Sequence, residues 1–112
     1  MKRRLEATSA QLPFGELDDL LQHRARLGAA VLLARHEQLS FSRLKALLDE
    51  TDGNLGAQMR KLEDAGYVVA RKEFQDRRPV TWYALTAKGD RALSQHLAHL
   101  ERLIQHARRA RG

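Results

Sequence analysis

Thr51-Asp52-Gly53-Asn54-Leu55-Gly56-Ala57-Gln58-Met59-Arg60-Lys61-Leu62-Glu63-Asp64-Ala65-Gly66-Tyr67-Val68 is the stretch on which the fold turns. Thr51 or Asp52 offers a side-chain oxygen to the orphan amides of a helix start, and Gly66 supplies the left-handed residue on which helices commonly stop. A helix from Asp52 to Ala65 is predicted between them. On it Leu55, Met59 and Leu62 recur at i, i+4 and i+7 and define an inward stripe, while the opposite face is polar. The helix is therefore expected to be anchored on one side and to stand free on the other.

Working upstream, Asp49-Glu50-Thr51-Asp52-Gly53 supplies turn formers, and before it Leu44, Leu47 and Leu48 line one side of a short helix, Arg43 to Leu48, capped by Ser40 or Ser42. Leu39-Ser40-Phe41 is long enough for a one-bridge strand only. A first helix precedes it, entered by the amphipathic turn Gly15 to Leu21. Its apolar residues Leu27, Ala30, Val31 and Ala34 follow helical spacing, widened by Leu32 and Leu33. Residues 1 to 13 are aperiodic and end at Pro13, which reads as a loosely held leader.

Downstream, Tyr67 to Phe74 and Val80 to Leu85 are rich in β-branched and aromatic residues and flank Gln75-Asp76-Arg77-Arg78-Pro79, so a hairpin is predicted. Thr86 can cap a last helix of roughly 23 residues, about 35 Å long at 1.5 Å per residue. Along it Leu93, Leu97, Leu100 and Ile104 recur at a heptad-like spacing with Leu103 and Ala107 beside them, more apolar width than one neighbouring helix covers. A homodimer formed through Leu93, Leu97, Leu100, Leu103 and Ile104 is the expectation.

Composition agrees with this order of elements. The 112 residues suit one domain, and 43% hydrophobic with 30% charged residues excludes a membrane protein or a collagen. Only 5% are aromatic, which favours helices packed through Leu and Ala. Absent cysteine removes disulfides and thiolate metal sites and fits a reducing compartment. The longest apolar run, Leu27 to Ala34, is far below the roughly 20 residues that span a bilayer. Basic Met1 to Arg4 is followed by no apolar stretch, so a cytoplasmic address is expected. Twenty Lys and Arg against fourteen Asp and Glu leave +6, a surface suited to a polyanion.

Helix, short strand, helix, turn, helix and hairpin is the order of a winged helix-turn-helix: mainly α with a small β-hairpin (α+β). Leu44-Lys45-Ala46-Leu47-Leu48, Asp52-Gly53-Asn54-Leu55, Leu62-Glu63-Asp64-Ala65-Gly66-Tyr67-Val68, Asp76-Arg77-Arg78-Pro79 and Tyr83-Ala84-Leu85-Thr86-Ala87-Lys88-Gly89 carry a likeness over about residues 20 to 100. In these stretches the chain resembles the small bacterial and archaeal winged-helix regulators related to the MarR family. The resemblance implies a dimer through terminal helices, and an Asp at position 76 that restrains the hairpin tip by an ion pair. On this division residues 14–85 form the DNA-binding domain and 86–112 the dimerisation helix.

The third helix is the expected occupant of a major groove, with Asn54 and Gln58 reading base edges as amides do with adenine. Gly53, Gly56 and Ala57 allow close approach, and Arg60 and Lys61 lie off the leucine stripe toward phosphate. At the hairpin, Arg77 and Arg78 beside Arg71 and Lys72 suit the adjacent minor groove and its phosphates. Such a tip in isolation is more often a solvated loop; after a helix-turn-helix it reads as a wing. Trp82 and Tyr83 read as sheet packing.

Double-stranded DNA is thus the expected partner of a dimeric repressor, and the alternative is a winged helix that binds protein. An exposed apolar face on the third helix would favour that alternative, and Gly53, Asn54, Gln58 and Lys61 do not supply one. His96, His99 and His106 with Asp90 invite a metal-sensor reading like that of ArsR-type repressors, but the spacing fits poorly, so no metal or cofactor is assigned. No nucleophile triad or phosphate loop is present, and no enzymatic activity is expected. The residues do not disclose an effector.

Overall fold

A computed structural model describes residues 17–111; the leader and residues 14–16 lie outside the described residues. A 3-10 turn, Asp19–Gln22, leads into α1 (Arg24–Arg35), β1 (Leu39–Ser40), α2 (Phe41–Leu48), α3 (Asp52–Asp64), β2 (Val68–Gln75), β3 (Arg78–Leu85) and α4 (Ala87–Arg111). The caps explain most of these boundaries. Ser40 accepts from the Arg43 amide at 3.1 Å and Thr51 from that of Asn54 at 3.2 Å. Asp49 ends α2 in the left-handed region (φ 53), and Gly66 (φ 79) turns the chain out of α3.

The strands form an antiparallel sheet in the order β1-β3-β2. Leu39 and Ser40 pair with Tyr83 and Trp82, so the minimal strand read from the sequence exists. The hairpin is longer than expected, because pairing continues to Gln75↔Arg78 and leaves Asp76 and Arg77 as a two-residue turn. Both have positive φ (50 and 66), the geometry that matches the right-handed twist of the strands. Pro79 lies within β3 opposite Phe74. There the other edge of β3 is open, since β1 reaches only Trp82 and Tyr83, and a missing amide hydrogen costs no ladder bond.

Leu21, Ala29, Leu33, Leu44, Leu55, Met59, Leu62, Val68 and Leu93 form the centre of the core. The Leu55-Met59-Leu62 stripe is fully buried, as its spacing demands. On α1 the buried face is Ala25, Ala29, Ala30 and Leu33, whereas Val31 and Ala34 of the expected face are exposed. The difference is one of register. Gly28 lies close to α2, where a Cβ would stand 2.6 Å from Leu48 Cδ2.

Two stretches far apart in sequence meet at the end of α3. Thr86 Oγ1 donates to Gly66 O at 2.6 Å and accepts from the Gly89 amide at 3.0 Å, while Lys88 Nζ donates to Ala65 O at 2.8 Å. Gly89 is required by proximity, since a Cβ there would stand 2.1 Å from Tyr67 O. The T-x-K-G segment therefore docks on A-G-Y and joins the start of α4 to the end of α3. Among the described residues no helix is long and apolar enough to cross a membrane.

Candidate nucleic-acid interface

The α2–α3 turn holds the entering end of α3 in place. Lys45 Nζ pairs with Asp52 Oδ1 at 2.9 Å, an exposed contact worth at most about 1 kcal/mol. Asp52, Gly53, Ala57, Arg60 and Lys61 are exposed along α3, and Asn54 and Gly56 are half-buried beside them. This is the free polar face that the leucine stripe implied.

Gln58 is not on that face. It is 7% exposed, its Oε1 accepts from Arg26 Nη1 of α1, and its Nε2 donates to Asn54 Oδ1 at 3.2 Å. The expectation that it reads bases is corrected by geometry: positions 55, 58, 59 and 62 stand at i, i+3, i+4 and i+7, so residue 58 falls on the anchored side. Its buried amide is tolerated because both ends are hydrogen-bonded. Asn54 remains on the accessible side, with Nδ2 donating to Glu50 Oε2 at 2.6 Å.

At the hairpin, Lys72, Arg77 and Arg78 are exposed, as expected. The antiparallel register sorts the side chains by face. Lys72 and Phe74 share the face of Thr81 and Pro79, whereas Arg71 and Glu73 share that of Trp82 and Val80. The first of these faces borders a cleft of about 570 Å³ against α3, lined by Gly56, Arg60, Glu63, Lys72, Thr81 and Tyr83 among others. Burial holds the Tyr83 hydroxyl above its ordinary pKa, with Glu63 adding to the effect and Arg60 opposing it.

On the other face the side chains satisfy one another. Arg71 pairs with Glu73 and donates to Gln38 Oε1 at 3.0 Å, and Trp82 Nε1 donates to Glu73 Oε1 at 2.7 Å. The hydrogen bond from Arg71, followed by that from Trp82, holds the Glu73 carboxyl below the usual range. Arg71 is thus engaged in bracing the hairpin. The ion pair expected of Asp76 is absent from those found among the described residues. Asp76 instead contributes by accepting a left-handed backbone, as Asp does more readily than most residues. Phe74, 78% exposed at the tip, was not singled out by the sequence reading. The alternation along β2 puts it on the same face as buried Val68, and its exposure comes from its place at the hairpin tip.

On α4 the apolar seam divides. Leu93 is 4% exposed and belongs to the chain's own core, which corrects its place in a dimer seam. Leu97 and Ile104 are 40% and 50% exposed, with Leu100 and Leu103 half-buried between them. His96 is 2% exposed, and its Nδ1 accepts from the Asp18 amide at 3.0 Å, so it ties the 3-10 turn to α4. Asp18 also accepts from the Tyr67 hydroxyl. Burial, followed by this bond and the Asp18 charge, pushes the Tyr67 pKa up to about 12. Among the described residues no three His, Asp or Glu side chains gather as a metal site requires.

A protruding helix with a polar outer face and a basic hairpin beside it is the arrangement by which such domains meet duplex DNA. The family model for the winged helix DNA-binding domain matches residues 25–104. The chain belongs to that family. An uncharacterized protein of Methanocaldococcus jannaschii is 33% identical over 78 residues, 70% of this chain and 85% of that one. A solved structure of a transcriptional regulator homologue from Pyrococcus horikoshii superposes with a TM-score of 0.73 at 32% identity, covering 79% of this chain and 87% of that chain. MarR itself, at 18% identity, superposes with a TM-score of 0.72 over 96% of this chain and 78% of its own, a likeness of fold. This winged-helix DNA-binding domain is MarR-like in fold.

Proposed function

We propose that the protein is a dimeric, sequence-specific repressor that excludes other proteins from a promoter by occupying it. Each α3 enters a major groove, with Asn54 reading a base edge, Ala57 allowing close approach, and Arg60 and Lys61 on phosphate. Each wing carries Lys72, Arg77 and Arg78 to the neighbouring minor groove. Residues 14–85 serve DNA binding, and 86–112 serve dimerisation through Leu97, Leu100, Leu103 and Ile104. The division is one of role, since Leu93 of α4 is core. Two copies related by a two-fold axis present two reading helices to an inverted repeat. We place it in the cytoplasm, with no cofactor and no catalytic role.

The observation that carries this reading is the exposed run Gly53, Ala57, Arg60 and Lys61 on α3 beside the exposed cations of the wing. Sequencing the duplexes that the purified protein selects from a random pool, followed by footprinting, tests it. Protection of an inverted repeat, with affinity falling steeply as salt rises, is expected. An empty selection or binding indifferent to salt overturns it.

A further inference from the structure

The side chains behind the reading face of α3 form a line with a direction. At one end Arg26, half-buried on α1, can only donate; its Nε is held by Leu20 O at 2.6 Å, and its Nη1 donates to Gln58 Oε1. At the other end the Glu50 carboxylate can only accept, and it takes the Asn54 Nδ2 hydrogen at 2.6 Å. Between them Gln58 Nε2 donates to Asn54 Oδ1 at 3.2 Å. An amide can be turned about its terminal torsion so that oxygen and nitrogen exchange places, and most amides in proteins have partners that allow either choice. Here neither can turn. Gln58 must present oxygen to the guanidinium, so its nitrogen faces Asn54; Asn54 must then present oxygen to Gln58 and nitrogen to Glu50.

We infer that Arg26, which lies on another helix and behind the reading face, is a positioning residue for DNA specificity: acting through Gln58, with Glu50 at the far end, it dictates which way round the Asn54 amide meets a base. The inference rests on the reading of Asn54 as a base contact. Each Asn54 atom keeps capacity in this line: Oδ1 has a second lone pair and Nδ2 a second hydrogen, the acceptor and donor that a bidentate contact with adenine uses. Presented the other way, the amide offers a donor where adenine also offers one. Orientation is therefore equivalent to base preference, and the guanidinium and the carboxylate set it jointly before DNA arrives. Burial of Gln58 at 7% exposure keeps water from substituting for either neighbour.

Competition binding of the full chain tests this, using its selected duplex and duplexes altered one base pair at a time. Asn54→Ala identifies the pair it reads as the one position where discrimination collapses, by roughly five- to a hundredfold. Arg26→Met keeps the aliphatic stem and removes every donor. Alone it leaves Glu50 to orient Asn54; combined with Glu50→Gln it is expected to lose discrimination at that same pair, leave the other positions and the salt slope unchanged, and add no further loss to Asn54→Ala. Arg26→Lys in the Glu50→Gln background, which keeps a donor at position 26, should recover part of the loss. Glu50→Gln, at the accessible end, folds without burying anything new and replaces an obligate acceptor with a group that can face either way; with Arg26 present the line keeps its direction, so this variant alone should discriminate like wild type. Discrimination like wild type in Arg26→Met/Glu50→Gln, discrimination already lost in Glu50→Gln alone, or a further loss when the pair is added to Asn54→Ala, overturns the inference. If Asn54→Ala leaves every ratio intact, the base contact itself is wrong and the inference falls with it.

Discussion

Replacing Gly89 with alanine should destabilise the protein although it places a better helix former in a helix. The added Cβ would stand 2.1 Å from Tyr67 O, 2.9 Å from Tyr67 C and 3.0 Å from Leu85 Cδ1. Ordinary contact begins near 3.4 Å, so α4 and the Tyr67 carbonyl must separate by about 3.4 − 2.1 = 1.3 Å. That carbonyl accepts from the Thr86 amide at 3.0 Å and lies 3.1 Å from Thr86 Oγ1, and neither contact survives such a shift. Losing up to two hydrogen bonds costs about 1 kcal/mol each, and forcing packed groups apart adds about 1–3 kcal/mol. The gain in helix propensity returns at most about 1 kcal/mol. The net loss is about 2–4 kcal/mol, a large part of the stability of a domain this size. Equilibrium unfolding in urea reads it directly. Gly56→Ala serves as the control: nothing lies within 4 Å of its added Cβ, so the same chemical change there should stabilise by up to about 1 kcal/mol. A Gly89→Ala protein as stable as wild type would refute the reasoning, because the clash is with backbone and no side chain can yield to relieve it.

The burial of Tyr67, together with its bond to Asp18, should appear as a pH dependence on the alkaline side. With its folded pKa raised from 10 to about 12, Tyr67 contributes stability that is fully present below pH 10 and is lost as pH rises through 12. Tyr67→Phe lacks that loss, so unfolding free energies of the two proteins should converge over this interval; parallel profiles would contradict the assignment. On α4, Leu100→Asp with Ile104→Asp should yield monomers by sedimentation without lowering stability by the core-cavity amount. Leu93→Ala should do the reverse, costing about 2–5 kcal/mol while leaving association intact.

What could be read from the chain depended on whether a residue's partners were near it in sequence. Ser40, Thr51 and Gly66 act on backbone within three or four residues of themselves; local chemistry alone points to Gly66 and narrows each cap to two candidates, Ser40 or Ser42 and Thr51 or Asp52. The Leu55-Met59-Leu62 stripe is likewise visible as a period, and the two strands as β-branched and aromatic runs. The α1 face differs from the expected one because a period gives a helix its apolar side only to within a residue or two, and tertiary packing selects Ala25, Ala29, Ala30 and Leu33. Leu93 was assigned to the seam because a heptad spacing continues unbroken across the point where α4 leaves the core. Gln58 is the most instructive of these. An amide near the entering end of a reading helix resembles a base contact, and the residue that draws it inward, Arg26, lies 32 positions earlier. Helical spacing alone put position 58 on the buried stripe, but burying an amide is costly unless partners exist, and no local pattern announces them. The cation on α1 is what makes the inward placement affordable. Of the two amides that the sequence offers as readers, Asn54 stays on the accessible side and Gln58 forms a braced support behind it, and the support is the part that only tertiary structure brings together.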